Sequence, residues 1–175
     1  LKEASTASVN VSFGKASIDR CSMLNLNSQY SGITIGTVGQ LTGKTKFDGT
    51  YRIESVGRCT LTAGYTQIRI DRLSESCVVD KLRFSGLRIG EVARGFGEIS
   101  VKASYSEVHL GLTPGHAFRA DLSASYGQIH TGDLNIRAAD TRSGHTNQLS
   151  GTAGASESPR ARVSVTSSFG DIYLK

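Results

Sequence analysis

Ile99-Ser-Val-Lys-Ala-Ser-Tyr105-Ser-Glu-Val-His-Leu110, Ala120-Asp-Leu-Ser-Ala-Ser-Tyr126-Gly-Gln-Ile129 and Val163-Ser-Val-Thr-Ser-Ser-Phe169-Gly-Asp-Ile-Tyr-Leu174 are three copies of one pattern. The pattern recurs around Phe13, Tyr30, Phe47, Tyr65, Phe84, Tyr105, Tyr126 and Phe169. The residues six and four before each aromatic are mostly apolar, the residue two before is usually small, and the third and fifth after are mostly apolar. Period-two alternation on either side of a break reads as two short strands flanking a bend. Successive aromatics lie 17, 17, 18, 19, 21, 21 and then 43 residues apart. One such unit cannot bury its own apolar face, whereas coils stacked one strand spacing apart share a continuous core.

This predicts an all-β chain, a single domain over 1–175, folded as a parallel β-solenoid (β-helix) of about nine coils of 17–21 residues. The rod would be on the order of 40 Å long at about 4.8 Å per coil, and right-handed. A third apolar register eight residues after the aromatic (Cys21, Val38, Leu73, Val92, Leu134) gives each coil three sides. Turn-forming residues follow the aromatic at Gly14, Ser31, Asp48, Ser106, Gly127 and Gly170, and stand six residues after it at Gly36, Gly90, Gly111 and Gly132. The eight aromatics, in phase with the apolar positions, are expected to stack inside the rod as core anchors. Around Thr45 to Ile53, Thr50 and Arg52 stand where the apolar pair is expected, and Tyr51 and Ile53 point to a one-residue shift, read as a bulge. The segment 137–160 breaks the pattern and is expected to form an irregular coil around Leu149, or a loop toward 156–159. A β-sandwich is the architectural alternative.

Twenty glycines, two prolines and abundant β-branched residues suit strands joined by tight turns. The charge of +5 comes from basic residues scattered through every repeat, which argues against nucleic acid as a partner. No run of eighteen apolar residues occurs, so no transmembrane helix is predicted. The chain opens at Leu1 without an apolar signal core, as a trimmed or mature secreted form would.

Ala124-Ser-Tyr-Gly-Gln-Ile129, Ser167-Ser-Phe-Gly-Asp-Ile-Tyr-Leu174 and Gly95-Phe-Gly-Glu-Ile-Ser-Val101 resemble the bacterial families of exported β-solenoid repeat proteins labelled adhesins. The resemblance runs through most of the chain. It implies a secreted, periplasmic or outer-surface protein and brings no catalytic residue with it.

His-Glu-x-x-His, Gly-x-Ser-x-Gly, the phosphate-binding loop and calcium-binding nonapeptides are all missing from the sequence, and neither a catalytic residue, a metal site nor a cofactor is predicted. An outward stripe four residues after each aromatic holds Ser17, Thr34, Tyr51, Arg69, Arg88, His109, His130 and Tyr173. Arg69, Arg88, His109, His130 and Tyr173 are its candidate ligand-binding residues, for an acidic glycan or other surface polymer. His109 and His130 are also a candidate pair for a shared metal, a weak one because no Cys or carboxylate stands in the same register. Counting back from the aromatics puts Cys21 and Cys59 in the core and Cys77 outside, so that a Cys59–Cys77 disulfide would need a local register shift. Three functions follow from different classes: a non-catalytic binding protein for a glycan, surface polymer or protein; a carbohydrate-active enzyme; and a scaffold that self-associates through an open solenoid edge at Asp171–Leu174.

Overall fold

The computed structural model describes residues 1–156 and 158–175, so that Glu157, within the irregular segment, lies outside the described residues. In chain order the strands are β1 (Glu3–Ser12), β2 (Lys15–Gln29), β3 (Gly32–Lys46), β4 (Thr50–Gly64), β5 (Gln67–Arg83), β6 (Gly86–Val92) and β7 (Glu98–Ser104). They continue as β8 (Glu107–Leu110), β9 (Phe118–Ser125), β10 (Ile129–His130), β11 (Ile136–Ser143), β12 (Thr146–Ala153), β13 (Ala161–Ser168) and β14 (Ile172–Leu174). The described residues hold no helix. Strands β1 to β5 pair in parallel, each with the next, at an offset of one repeat. Parallel, whole-repeat pairing is a β-solenoid and excludes the sandwich, whose neighbours are antiparallel.

Period-two patterning becomes a core because each inward position meets the same position of the next layer. Ile18, Ile35, Ile53, Ile70, Ile89, Leu110 and Leu174 form one such row through the rod. All seven are at most 2% exposed. Burying each stabilises the fold by about 1.5–3 kcal/mol against leaving it in water. Tyr51 and Ile53 are fully buried, as the one-residue shift predicted, and the additional residue sits in the bend at Asp48–Gly49.

The coil count and the coil order both differ from the sequence reading. The rod has about six turns, not nine. Between Tyr126 and Phe169 the chain makes no two further coils; β11 and β12 form an antiparallel hairpin, and β12 runs antiparallel along β9. Leu149, expected to centre a coil, lies opposite Leu122 in that hairpin. The chain then turns back: β13 inserts between β7 and β9, and β14 between β8 and β10. The C-terminal repeat is therefore an interior layer. Asp171–Leu174 offers no open edge, contrary to the scaffold expectation, because Ile172 is bonded in register to both Val108 and Ile129. The hairpin covers the end of the rod, and its outer strand β11 is exposed and carries Arg137, Asp140 and Arg142, charges that discourage edge-to-edge pairing.

Cys77 also departs from expectation. Strand β5 contains a register irregularity between Val79 and Leu82, so counting back from Phe84 misplaces everything before it by one residue. Cys77 points inward, directly opposite Cys59, and both are buried.

The inserted coil generates a prediction. A chain ending at Gly154 leaves β7 and β9 without their common partner, and is expected to lose its single cooperative thermal transition. A shortened chain that melts like the full one would overturn the insertion.

Candidate functional site

The eight repeat aromatics are not in the core. They are 36–80% exposed, and all eight adopt left-handed backbone, with φ between 49° and 57°. An alternating strand would have pointed them by its own parity, but a left-handed residue reverses the chain locally and swings its side chain out of the corner. For an L-residue this conformation costs roughly 1–2 kcal/mol. Bonds between layers hold it in place: Phe13 N–H donates to Gln29 O at 3.1 Å, Tyr30 N–H to Lys46 O at 3.2 Å, and Tyr65 N–H to Arg83 O at 2.9 Å. The same bond recurs at every layer, through Tyr105 to Ser168 O, Phe169 to Ser125 O and Tyr126 to His145 O. The buried aromatics are instead Tyr51, Phe96 and Phe118, none of which occupies the repeat's aromatic position.

Outside the corner the rings form one ladder, with centroids 4.7–5.2 Å apart and planes within 14° of parallel. Offset stacking of this kind contributes about 0.5–1.5 kcal/mol per pair beyond burial. His145 of the hairpin stacks on Tyr126 at 4.8 Å and closes the row. In spatial order the ladder reads Phe13, Tyr30, Phe47, Tyr65, Phe84, Tyr105, Phe169, Tyr126, a strict Phe/Tyr alternation that the chain order hides. Ring faces are covered by neighbours, so the corner presents apolar edges with a phenol hydroxyl every second layer, about 10 Å apart.

Beneath the corner runs a buried polar row, made by the residue that follows each aromatic. Ser31 N–H donates to Asp48 Oδ1 at 2.7 Å, Asp48 N–H to Thr66 Oγ1 at 3.2 Å, Thr66 N–H to Ser85 Oγ at 3.1 Å, and Ser85 N–H to Ser106 Oγ at 3.0 Å. Asp48 is further held by the hydroxyls of Ser28 and Thr45. The row stops at Gly170, where a Cβ would lie 2.0 Å from Ser106 O, so only glycine fits the approach of the two layers. The Tyr51 phenol, buried beside Cys59 with no hydrogen-bond partner, is pushed far above its ordinary pKa by that burial and then by the Asp48 carboxylate and Cys59.

The ladder is a ridge between two grooves. One, of about 610 Å³, is lined by Asn10, Asn27, Gln29, Lys44, Lys46, Thr62, Lys81 and Arg83 with the edges of Tyr65 and Phe84, and no carboxylate lines it. The other, of about 750 Å³, contains Gln67, Glu107 and Asp171 beside Tyr105, Tyr126 and Phe169. Asp171 is committed there: Oδ1 accepts the Gln128 N–H at 2.8 Å and Oδ2 accepts the Tyr173 hydroxyl at 3.2 Å.

The stripe predicted from sequence is assembled, with two changes. Arg52 occupies the place assigned to Tyr51, because of the extra residue in the preceding bend. Tyr173 lies between His109 and His130, stacked at 4.4 Å and 4.5 Å, so the two imidazoles are separated by a full ring and cannot share a metal. Arg69 is paired with Asp71 at 3.3 Å, and Asp71 also takes Arg52 at 3.1 Å. His109 approaches Glu107 at 3.4 Å, while Arg88 has no carboxylate partner among the described residues. Among the described residues the stripe is therefore partly compensated, with one carboxylate shared by two arginines and Arg88 left unpaired. Four further cations unpaired among these residues lie together across the ridge in the first groove, on the strand segments that precede Phe47 and Phe84. Sequence reading missed them because they alternate with Thr62 and Gly64 instead of recurring in every coil. No group of three or more metal-ligating side chains occurs among the described residues, and no helix is long and apolar enough to cross a membrane.

Compared with known proteins, the chain matches no family model, no curated protein and no solved structure.

Two predictions follow from this geometry. Phe84→Ala removes two stacking contacts and keeps the left-handed strain, whereas Phe84→Gly removes both; denaturant unfolding is expected to find the glycine variant more stable than the alanine variant by about 1 kcal/mol. Asp121 supports the capped end. Partial burial raises its pKa, but hydrogen bonds from Ser150 and Arg162 and the charges of Arg162 and Arg119 outweigh that and hold it below the usual carboxylate range. A depressed carboxylate contributes stability above its unfolded pKa of about 4, and loses it as pH falls through the lower folded value. Asp121→Asn should flatten the pH dependence of the melting temperature below about pH 4, and an unchanged acid limb would count against the assignment.

Proposed function

We propose that this chain is a non-catalytic, exported binding protein that holds an extended glycan, or another cell-surface polymer, along its aromatic corner. The observation that carries the reading is the alternating Phe/Tyr ladder, held outside the core at the cost of eight left-handed residues. A structural stack would be more stable buried, where each ring leaves water. An exposed ridge with a hydroxyl every second layer instead suits a partner that is itself periodic, such as a β-linked polysaccharide whose disaccharide repeat matches two strand spacings. The resemblance of the repeat to exported solenoids supports a periplasmic, outer-surface or secreted location. Right-handed winding belongs to the same reading, on the general preference of parallel crossovers for that hand.

A carbohydrate-active enzyme is the second reading. It is favoured by Glu107 and Asp171, which stand on neighbouring layers in the second groove. It is the weaker one, because Asp171 uses both oxygens within the rod.

A broad glycan array tests the proposal. Selective binding is expected, reduced at least tenfold by the combined Tyr30→Phe, Tyr65→Phe, Tyr105→Phe and Tyr126→Phe substitution, which keeps the ladder and removes its hydroxyls. The Arg69→Ala/Arg88→Ala variant is expected to retain most of the binding, since Arg69 is already paired. Release of new reducing ends from any bound polymer would favour the enzyme.

A further inference from the structure

Resting on that reading, we infer that the groove beside the ladder is built for an acidic polysaccharide, a linear glycan carrying carboxylate or sulfate groups. Lys44, Lys46, Lys81 and Arg83 line it, no acidic side chain does, and none of the four is ion-paired among the described residues. Among the other basic side chains, Arg52, Arg58, Arg69, Arg72 and Arg162 each meet a carboxylate within 3.3 Å. Four cations gathered in one groove with no acid among them repel one another, a cost that an anionic partner removes. The rows are ordered by the strand register, with Lys44 next to Thr62 and then Lys81, and Lys46 next to Gly64 and then Arg83. The two charged layers are therefore about 10 Å apart, the spacing of successive tyrosine hydroxyls on the ridge. Toward β1 the groove continues as Asn10 and Asn27, whose amides are bonded at 3.0 Å, and Gln29, donors and acceptors suited to sugar hydroxyls. Asp80 lies in an adjoining depression that Lys81 and Arg83 also line, together with Lys102. Nucleic acid fits less well, because bases bind by stacking on open ring faces and these faces are occupied by neighbouring rungs.

Titration calorimetry with polygalacturonate, heparin, a neutral cello-oligosaccharide and poly(dT) tests this, at two salt concentrations. Expected is binding of polygalacturonate or heparin that weakens with salt and falls at least tenfold in a Lys44→Gln/Lys46→Gln/Lys81→Gln/Arg83→Gln variant whose thermal transition is intact. Carboxylated and sulfated sources are told apart by which of the two acidic polymers binds tighter. Equal affinity for the neutral oligosaccharide, or full binding by the variant, overturns the acidic-ligand inference and leaves the polymer-binding function standing. Poly(dT) binding as tight as the acidic glycans overturns it in favour of nucleic acid. No binding to any probe sinks both.

A separate observation carries a second proposal: Cys59 and Cys77 are the two halves of an internal disulfide. Their sulfurs lie 2.7 Å apart, on residues paired in register across β4 and β5. Neighbouring strands are about 4.8 Å apart, inside the span a disulfide accepts between Cα atoms. Closure joins the two sulfurs and releases two protons and two electrons. The electrons go to a disulfide oxidant such as oxidised glutathione, which leaves as two thiols. The hydrogen bond to Cys77, and then burial, raise the Cys59 pKa and keep the thiol protonated, so closure belongs to folding or to opening of the layers, not to the resting rod. Refolding with oxidised glutathione, followed by intact mass and peptide mapping, should give a loss of two hydrogens, a Cys59–Cys77 cross-link and a free Cys21, with a higher denaturant midpoint than a Cys59→Ser/Cys77→Ser control. Three titratable thiols after oxidative refolding, or a Cys21-containing cross-link, would overturn it.

Discussion

The hydrogen bond from each corner aromatic's N–H to the carbonyl that precedes the next corner aromatic is the constraint from which the rest of this structure follows. It closes each coil onto its neighbour at the point where the backbone is least comfortable. Because that residue is left-handed, its side chain leaves the corner outward, and repetition at one strand spacing turns eight such side chains into a ladder. The residue after it turns inward, and its hydroxyl or carboxylate receives the N–H of the layer before. One local conformation thus orders an apolar edge outside and a polar row inside. The apolar registers between corners are free to do ordinary core packing, which explains why they tolerate Ile, Leu, Val, Cys and Ala alike.

The ends of the rod follow from a different requirement. A solenoid made only of sequential coils would present a bare strand at its last layer. Here the chain overshoots, folds β11 and β12 back as an antiparallel cover, and returns to insert β13 and β14 one layer inside. The insertion also sets the ladder's chemistry. Phe169 falls between Tyr105 and Tyr126, so two tyrosines consecutive in the chain are separated in space and the alternation is unbroken. It likewise places Tyr173 between His109 and His130, replacing a pair of imidazoles by a three-ring stack.

Charge is divided by face. On the stripe beyond the corner, Arg52 and Arg69 of adjacent layers share the Asp71 carboxylate. On the face before the corner the lysines stand opposite Thr62 and Gly64, not acids, and their charge is uncompensated. What distinguishes the groove is that its cations stand together with no acid lining it.

Repetition of apolar positions at seventeen to twenty-one residues was enough to establish the parallel coils and most of the core, because a period-two pattern that returns in phase can bury its apolar face only by stacking. Even the shift at Tyr51 and Ile53 was readable, since two apolar residues moved together. Three things were not readable. Inward or outward direction of the aromatics depends on the sign of one φ angle per coil, which the sequence pattern does not display. Cys77 was misplaced because an irregularity between Val79 and Leu82 shifts the count without changing composition. The order of the last layers, and with it the ladder's alternation, the covered end and the uncompensated cations, depends on which strand edges meet, and β7, β9 and β13 have such similar patterns that only the packed molecule decides which of them lie side by side.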